Sequence, residues 1–246
     1  MKLKEFLRLA LFYIGVPKCP SCGERLDSDD RALCKACFDE YLNFAEHDCS
    51  VCGELLERCT CTNKHLASHS VKALFKVVRY RPGNDVLPSN KLIYALKRAH
   101  RADVVEFISS EIAESLKNAD FNPSECIFTN VPRRRAAVRQ YGYDHSALLA
   151  KSLAEHFGAE YRTLLVSRAT RAQKKLYGTE RLRNAEFDYK GNFDLGKKSV
   201  IIVDDLVTTG ASMGAAAMLL KMSGAGKIYG ACFAIAYKDA YIPFKK

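Results

Sequence analysis

Val200 to Ser212 reads VIIVDDLVTTGAS. Ser199 to Val203 is a short β-branched run, too brief for a helix, and it predicts a buried strand. Two adjacent carboxylates, Asp204 and Asp205, are expected to end that strand. A turn of small and hydroxyl-bearing residues follows, Thr208-Thr209-Gly210-Ala211-Ser212, and then an apolar helical pattern from Ala215 to Met222. A strand end, such a turn and a helix N-terminus together make an anion site. The first helical N–H groups lack internal partners, and the helix dipole favours negative charge. Gly210 lets the backbone approach a phosphate closely, Ala211 keeps the turn small, and Thr208, Thr209 and Ser212 supply hydroxyl donors. The carboxylates are poor phosphate ligands. They suit vicinal sugar hydroxyls or a Mg²⁺ held on the ligand, so the whole reads as a grip for ribose 5-phosphate.

Outward from this stretch, strands alternate with helices. Val71 to Tyr80, Cys126 to Val131, Thr163 to Val166 and Ile228 to Tyr237 read as further strands. Leu92, Ile93, Leu96 and Ala99 fit a helix that continues, with a break near Arg101, through Val104 to Leu116. Lys97 and Arg98 on it read as solvated surface charge, with a substrate-facing role as the alternative. Asp144 is expected to cap a helix from Ser146 to His156, and His145 reads as an N-terminal helix residue. This alternation predicts an α/β fold, a parallel sheet flanked by helices over residues 71–238.

Pro132 stops the second strand, and Arg133, Arg134, Arg135 and Arg139 follow it. A loop after a parallel strand is where α/β sheets place ligands, and such dense charge repels itself unless an anion answers it. We expect these arginines to meet a pyrophosphate. From Arg133 to Arg183 the chain holds twelve Lys/Arg against four Asp/Glu, a net +8 within a formal +10. That field, with Tyr141, Tyr143 and Tyr177 interleaved, also suits single-stranded nucleic acid. Arg168 to Arg183 reads as a mobile lid or a basic helix–turn segment.

Eight of the ten cysteines lie between Cys19 and Cys61. Cys19-x-x-Cys22 and Cys34-x-x-Cys37 have the spacing of a structural Zn²⁺ site, closed by four thiolates. Cys49-x-x-Cys52 repeats the doublet, but its partner is Cys59-x-Cys61, with His47 or His65 as substitute ligands if that geometry fails. Two structural zinc ions are expected over residues 17–62, with Asn63 to Ser70 as a linker. Clustered doublets point to a reducing compartment rather than a secreted disulfide set.

The 48% apolar and 27% charged residues fit a soluble globular chain, and no apolar run reaches membrane-spanning length. Residues 1–16 superficially resemble a signal peptide. Arg8 interrupts them and no small-residue cleavage site follows, so an amphipathic docking helix is expected, in a cytoplasmic protein.

VIIVDDLVTTGAS resembles the phosphoribosyl-diphosphate (PRPP) signature of type I phosphoribosyltransferases. Together with the cysteine doublets, Val131-Pro132 and its basic loop, Tyr141-Gly142-Tyr143-Asp144-His145 and the spacing Gln173…Arg181…Asn184…Phe187, it makes the chain resemble the competence protein F family. Tyr141 stands where that family usually has Arg, and Asp144-His145 replaces Asn-Gln. The resemblance implies a double zinc ribbon joined to a type I phosphoribosyltransferase-like domain. It implies that Asp204 and Asp205 contact ribose, Thr208 to Ser212 wrap the 5-phosphate, and Mg²⁺ travels with PRPP. It further implies a role in natural transformation, handling incoming single-stranded DNA with a competence helicase and recombination mediator proteins. The alternatives are a nucleic-acid-binding or PRPP-sensing module without turnover, and a nucleotide-salvage phosphoribosyltransferase. No residue pattern marks the acceptor.

Overall fold

Residues 17–27, 31–44, 48–49, 51–168, 187–190, 195–236 and 241–242 are described by the structure, a computed structural model. The expected N-terminal helix, His47, residues 169–183 of the expected lid or helix–turn segment, and Tyr237 lie outside them. In chain order the elements begin with α1 (Lys35–Phe44), β1 (Thr62–Asn63), α2 (Lys64–Ser68), β2 (Val71–Tyr80), α3 (Pro88–Arg98), α4 (Ala102–Leu116) and β3 (Ile127–Asn130). They continue with α5 (Arg135–Tyr141), α6 (His145–Phe157), β4 (Glu160–Tyr161), β5 (Leu165–Ser167) and β6 (Phe187–Tyr189). The chain then forms β7 (Val200–Val207), α7 (Ala211–Met222), β8 (Ile228–Ala236) and β9 (Tyr241–Ile242).

The expected α/β architecture forms. A five-stranded sheet runs β2-β8-β7-β3-β4, and every neighbouring pair is parallel. A parallel sheet is stable only when both faces are covered, and its central strands read as apolar runs for that reason. One face carries Phe75, Val77, Phe128, Ile201, Val203, Ala231 and Phe233, packed under α3, α4 and α6. The other carries Leu74, Ile127, Val200, Ile202, Ile228 and Ile235, packed under α7. The cysteine-rich segment divides between the two. Cys19 and Cys37 join the first core, while Cys49, Cys59 and Cys61 join the second.

Several boundaries differ from the sequence reading. β7 does not end at Asp204 and Asp205 but runs on to Val207. The neighbouring β8 is nine residues long and keeps pairing with it, through Asp204↔Cys232, Leu206↔Ala234 and Val207↔Ile235. α7 starts at Ala211, four residues before the apolar pattern. The expected strand over Thr163 to Val166 is displaced to Leu165–Ser167, where it pairs antiparallel with Phe187–Tyr189. The supposed linker after residue 62 is ordered: Thr62–Asn63 pairs antiparallel with Tyr241–Ile242, and Asn63 caps α2 by accepting from Leu66 N–H at 2.8 Å. Part of the basic loop is also helical, as α5, and Gly142 ends that helix in the left-handed region at φ 80°.

Just upstream of β7 and β8 the chain passes very close to itself. A Cβ built on Gly226 would lie 2.0 Å from the Lys197 carbonyl oxygen, and the Gly226 N–H donates to Lys198 O at 2.9 Å. Gly226→Ala therefore forces the backbone apart. It is expected to destabilise the protein by about 1–3 kcal/mol, read as a lowered urea midpoint at unchanged slope.

Candidate functional site: a crevice at the carboxyl ends of β3 and β7

β3 and β7 lie side by side and parallel, yet the chain leaves them in opposite directions. From β3 it passes through α6 to β4 at one edge, and from β7 through α7 to β8 toward the other. Adjacent strands with diverging connections leave a crevice at their carboxyl ends, where open α/β sheets place ligands. Asp204, Asp205 and the Thr208–Ser212 turn stand on one side of it. The Val131–Arg135 segment and the start of α6 stand on the other.

The two carboxylates have different surroundings. Asp205 is buried at 4% exposure and is held by His145 Nε2 at 3.0 Å on Oδ1 and by the Lys97 ammonium at 2.9 Å on Oδ2. Burial pushes its proton affinity up, but the His145 hydrogen bond and the charges of His145 and Lys97 outweigh that. Its carboxyl is held well below the usual range. Asp204 is only half-buried, accepts from Ser146 Oγ and from the Asp205 N–H, each at 3.0 Å, and shares no ion pair with Lys97. Burial first, and then the neighbouring Asp205 charge, raise it well above the usual carboxylate range. The sequence assigned both side chains to a sugar. Asp205 is occupied by protein partners, and Asp204 is the carboxylate reachable from solvent.

His145 and Lys97, read from sequence as a helix start and a surface charge, are thus the partners of Asp205. The signal for Lys97 was its place on α3 four residues after Ile93 and next to Leu96, both buried, which turns it toward the sheet. His145 is 5% exposed, and among the described residues its Nδ1 has no hydrogen-bond partner. Asp144 does cap α6, accepting from Ser146 N–H and Ala147 N–H at 3.1 and 3.2 Å through Oδ1. Its Oδ2 accepts from the Arg133 N–H at 2.9 Å, so one carboxylate ties the basic segment to the helix.

The Thr208–Ser212 turn approaches the helix through Gly210, which sits in the left-handed region at φ 80°. Thr208, Thr209 and Ala211 are exposed, and Ala211 N–H donates to Thr209 Oγ1 at 3.3 Å. The turn is braced from behind by the former linker. Asn63 Nδ2 donates to Thr209 O at 2.9 Å, and a Cβ on Gly210 would meet Leu66 Cγ at 2.8 Å. Across the crevice Arg134, Arg135 and Arg139 are exposed, whereas Arg133 stacks its guanidinium on the Tyr141 ring at 4.7 Å.

The cysteines form two tetrads, Cys19/Cys22/Cys34/Cys37 and Cys49/Cys52/Cys59/Cys61, with the sulfurs of each within 4.8 Å of one another. Cys22 and Cys34 sulfurs lie 3.6 Å apart, and Cys52 and Cys59 sulfurs 3.5 Å apart. Tetrahedral Zn–S bonds of about 2.3 Å place sulfurs about 3.8 Å apart, so both tetrads fit zinc and neither is a disulfide pair. The CxC pair completes the second tetrad, and His65 instead stacks on His69 against α7. Each tetrad opens with the same knuckle. Gly23 and Gly53, at φ 83° and 73°, donate their N–H to Cys19 O and Cys49 O at 2.9 and 2.8 Å. Burial works to raise the Cys49 thiol, but the Cys52 and Val51 N–H groups hold it down at about 7.

No family model matches the chain. It is similar to a DNA utilization protein, YhgH, of Escherichia coli K12, 26% identical over 226 residues, which are 89% of this chain and 90% of that protein. The protein of the same name from Shigella flexneri is 26% identical over 227 residues, with the same coverage. Among solved structures, a purine phosphoribosyltransferase from Pyrococcus horikoshii is 20% identical, covering 56% of this chain and 77% of that one, with a TM-score of 0.38. An adenine phosphoribosyltransferase from Thermoanaerobacter pseudethanolicus is 18% identical, covering 62% and 86%, with a TM-score of 0.38.

Opposite shifts at adjacent aspartates give opposite expectations for their amides. Asp205→Asn strands the buried His145 and the half-exposed Lys97. It is expected to cost about 2–3 kcal/mol, a drop in Tm of about 5–10 °C without ligand. Asp204→Asn removes a carboxylate that the fold disfavours when ionised, and is expected to raise Tm by a few degrees, on the order of 1 kcal/mol. The Asp205 contribution is fully present above the unfolded carboxyl value of about 3.9 and is lost as pH falls through the lower folded one. Acid titration of stability below about pH 4 should therefore be shallower in Asp205→Asn than in the parent chain.

Proposed function

We propose that the chain is a PRPP-binding protein of the phosphoribosyltransferase type that acts in DNA utilisation. The observation that carries this reading is the braced turn from Thr208 to Ser212 opening α7 beside the solvent-reachable Asp204, both at the carboxyl-end crevice. The 5-phosphate would sit on the turn and the first N–H groups of α7. Asp204 would receive the ribose hydroxyls, and Asp205, fixed by His145 and Lys97, would hold the strand end and the start of α6 in register. Arg134, Arg135 and Arg139 face the pyrophosphate, while Arg133 serves through its Tyr141 stack and its N–H.

Displacement at the sugar carbon passes through an oxocarbenium-like transition state. The protein's work is to position the ring, to set Asp204 beside it, where the developing positive charge would favour the ionised carboxylate, and to hold the leaving group among cations. Mg²⁺, arriving on the diphosphate, would supply the further charge neutralisation that pyrophosphate departure needs. His145, Asp204 and Asp205 have ligand atoms within 4.8 Å of one another, but Lys97 already occupies Asp205, so the protein does not present a bare cation site.

The two cysteine tetrads would each hold a structural zinc, and residues 17–62 would be the ribbon segment attached to a domain over 71–238. The likeness to DNA utilization proteins, together with the exposed arginines, supports single-stranded DNA as a second ligand of the same basic side. The chain would work in the cytoplasm. No helix among the described residues is long and apolar enough to cross a membrane.

PRPP with Mg²⁺ is expected to raise the Tm of the parent chain and to leave Asp204→Asn unmoved, although that variant is the more stable without ligand. No shift in the parent chain would remove the PRPP reading, and pyrophosphate release with an amine or base would separate an enzyme from a sensor. Single-stranded DNA affinity should fall steeply with salt. Replacing Arg134 and Arg135 by Glu should weaken it about tenfold or more and flatten the slope.

A further inference from the structure

Lys76 lies in the middle of β2, a core strand, and is 0% exposed. Its ammonium donates to the carbonyl oxygens of Cys59 and Cys61, each at 2.9 Å, to Leu74 O at 3.1 Å, and to the sulfur of Cys59 at 3.1 Å. A thiolate sulfur among the acceptors of a buried ammonium contributes negative charge that carbonyl dipoles do not. Four thiolates around one Zn²⁺ carry a net charge of minus two. The second cysteine tetrad, one of whose sulfurs Lys76 touches, is where that negative charge would reside.

We propose that Lys76 is the built-in counter-charge of the second tetrad, a positioning residue whose N–H···S bond keeps Cys59 bound to zinc. This rests on the zinc reading above. The contact fixes the Cys59 sulfur in place and so opposes its departure from the metal, in the way outer-shell partners steady metal ligands. The two carbonyl contacts span Cys59 to Cys61 and fix the short CxC turn that completes the tetrad in place of a second CxxC doublet. The sulfur contact also connects the tetrad to the sheet. Lys76 pairs in register with Cys232 of β8, and Cys232 pairs with Asp204 of β7. The residue that touches the second tetrad thus lies two strands from the candidate sugar-binding carboxylate. The first tetrad sits on the opposite face of the sheet and provides an internal control.

The test uses the full chain loaded with zinc, with Lys76→Met as a near-isosteric neutral replacement. Zinc release to a chromogenic chelator is followed after addition of a thiol-blocking reagent. The parent chain is expected to release two zinc ions per chain. Lys76→Met should release one of them about tenfold faster and the other at the parent rate, and the Co²⁺-loaded variant should show a shifted sulfur-to-metal absorption band. Two ions released at parental rates with an unshifted band would overturn the proposal. Equal acceleration of both would overturn it as well, because that marks general loosening. A parent chain purified and reconstituted without bound zinc would instead remove the zinc reading itself. Should Lys76→Met fail to fold, amine acetylation of the parent chain replaces it: Lys76 is expected to stay unmodified with two zinc ions bound and to become modified once the second tetrad is emptied. Continued protection with that tetrad empty would overturn the assignment.

Discussion

A parallel sheet has to be covered on both faces, and in this protein that requirement organises everything else. Among the described residues, helices α3, α4 and α6 cover one face and α7 the other, but α7 is one twelve-residue helix against strands of eight to ten. The second cysteine tetrad and the short helix α2 fill what remains, with Leu56, Cys59, Cys61 and Leu66 buried beside Leu74 and Ile202. On the opposite face Cys19, Leu33, Cys37 and Tyr41 pack with Phe107 and Phe233. The cysteine-rich segment is therefore part of the roof on both sides of the sheet. Its metal chemistry and the sheet's hydrophobic burial act on the same residues.

The alternation of apolar strands and amphipathic helices was legible, because a parallel core imposes long apolar runs that few other arrangements need. VIIV in β7 and the apolar stretch of β8 could be read for that reason. Strand ends were less legible. Polarity at Asp204 and Asp205 looked like a stop, but a ladder ends where its neighbour ends, and β8 runs further. Asn63 to Ser70 read as linker for a similar reason: the end of a two-residue strand and a five-residue helix carry too little periodicity to register.

The signature stretch lies at the carboxyl-end crevice, but its letters do not tell its two carboxylates apart. Two adjacent carboxylates look equivalent on paper. In the fold, one meets a histidine at a helix start and a lysine from a helix nearly fifty residues earlier in the chain, and the other meets a serine hydroxyl and solvent. That asymmetry arises from long-range packing. Likewise the part Asp144 plays beyond capping its helix emerges only when its second oxygen is seen holding the Arg133 N–H. Lys76 is a cation inside the FKVV of an apolar strand, and its partners come from a segment that sequence pattern could not bring to it.

The brace behind Gly210 has a practical corollary for anyone moving this turn between proteins. Gly210 is restricted twice, by a backbone angle that disfavours side chains and by Leu66 packed where a Cβ would go. The adjacent Thr209 carbonyl is held by Asn63, from the same short segment. Residues 63–66 and 208–212 therefore behave as one interchangeable part, though well over a hundred positions separate them in the chain. A chimera that imports the hydroxyl-bearing bend without its distant backing would receive the right letters in the wrong shape.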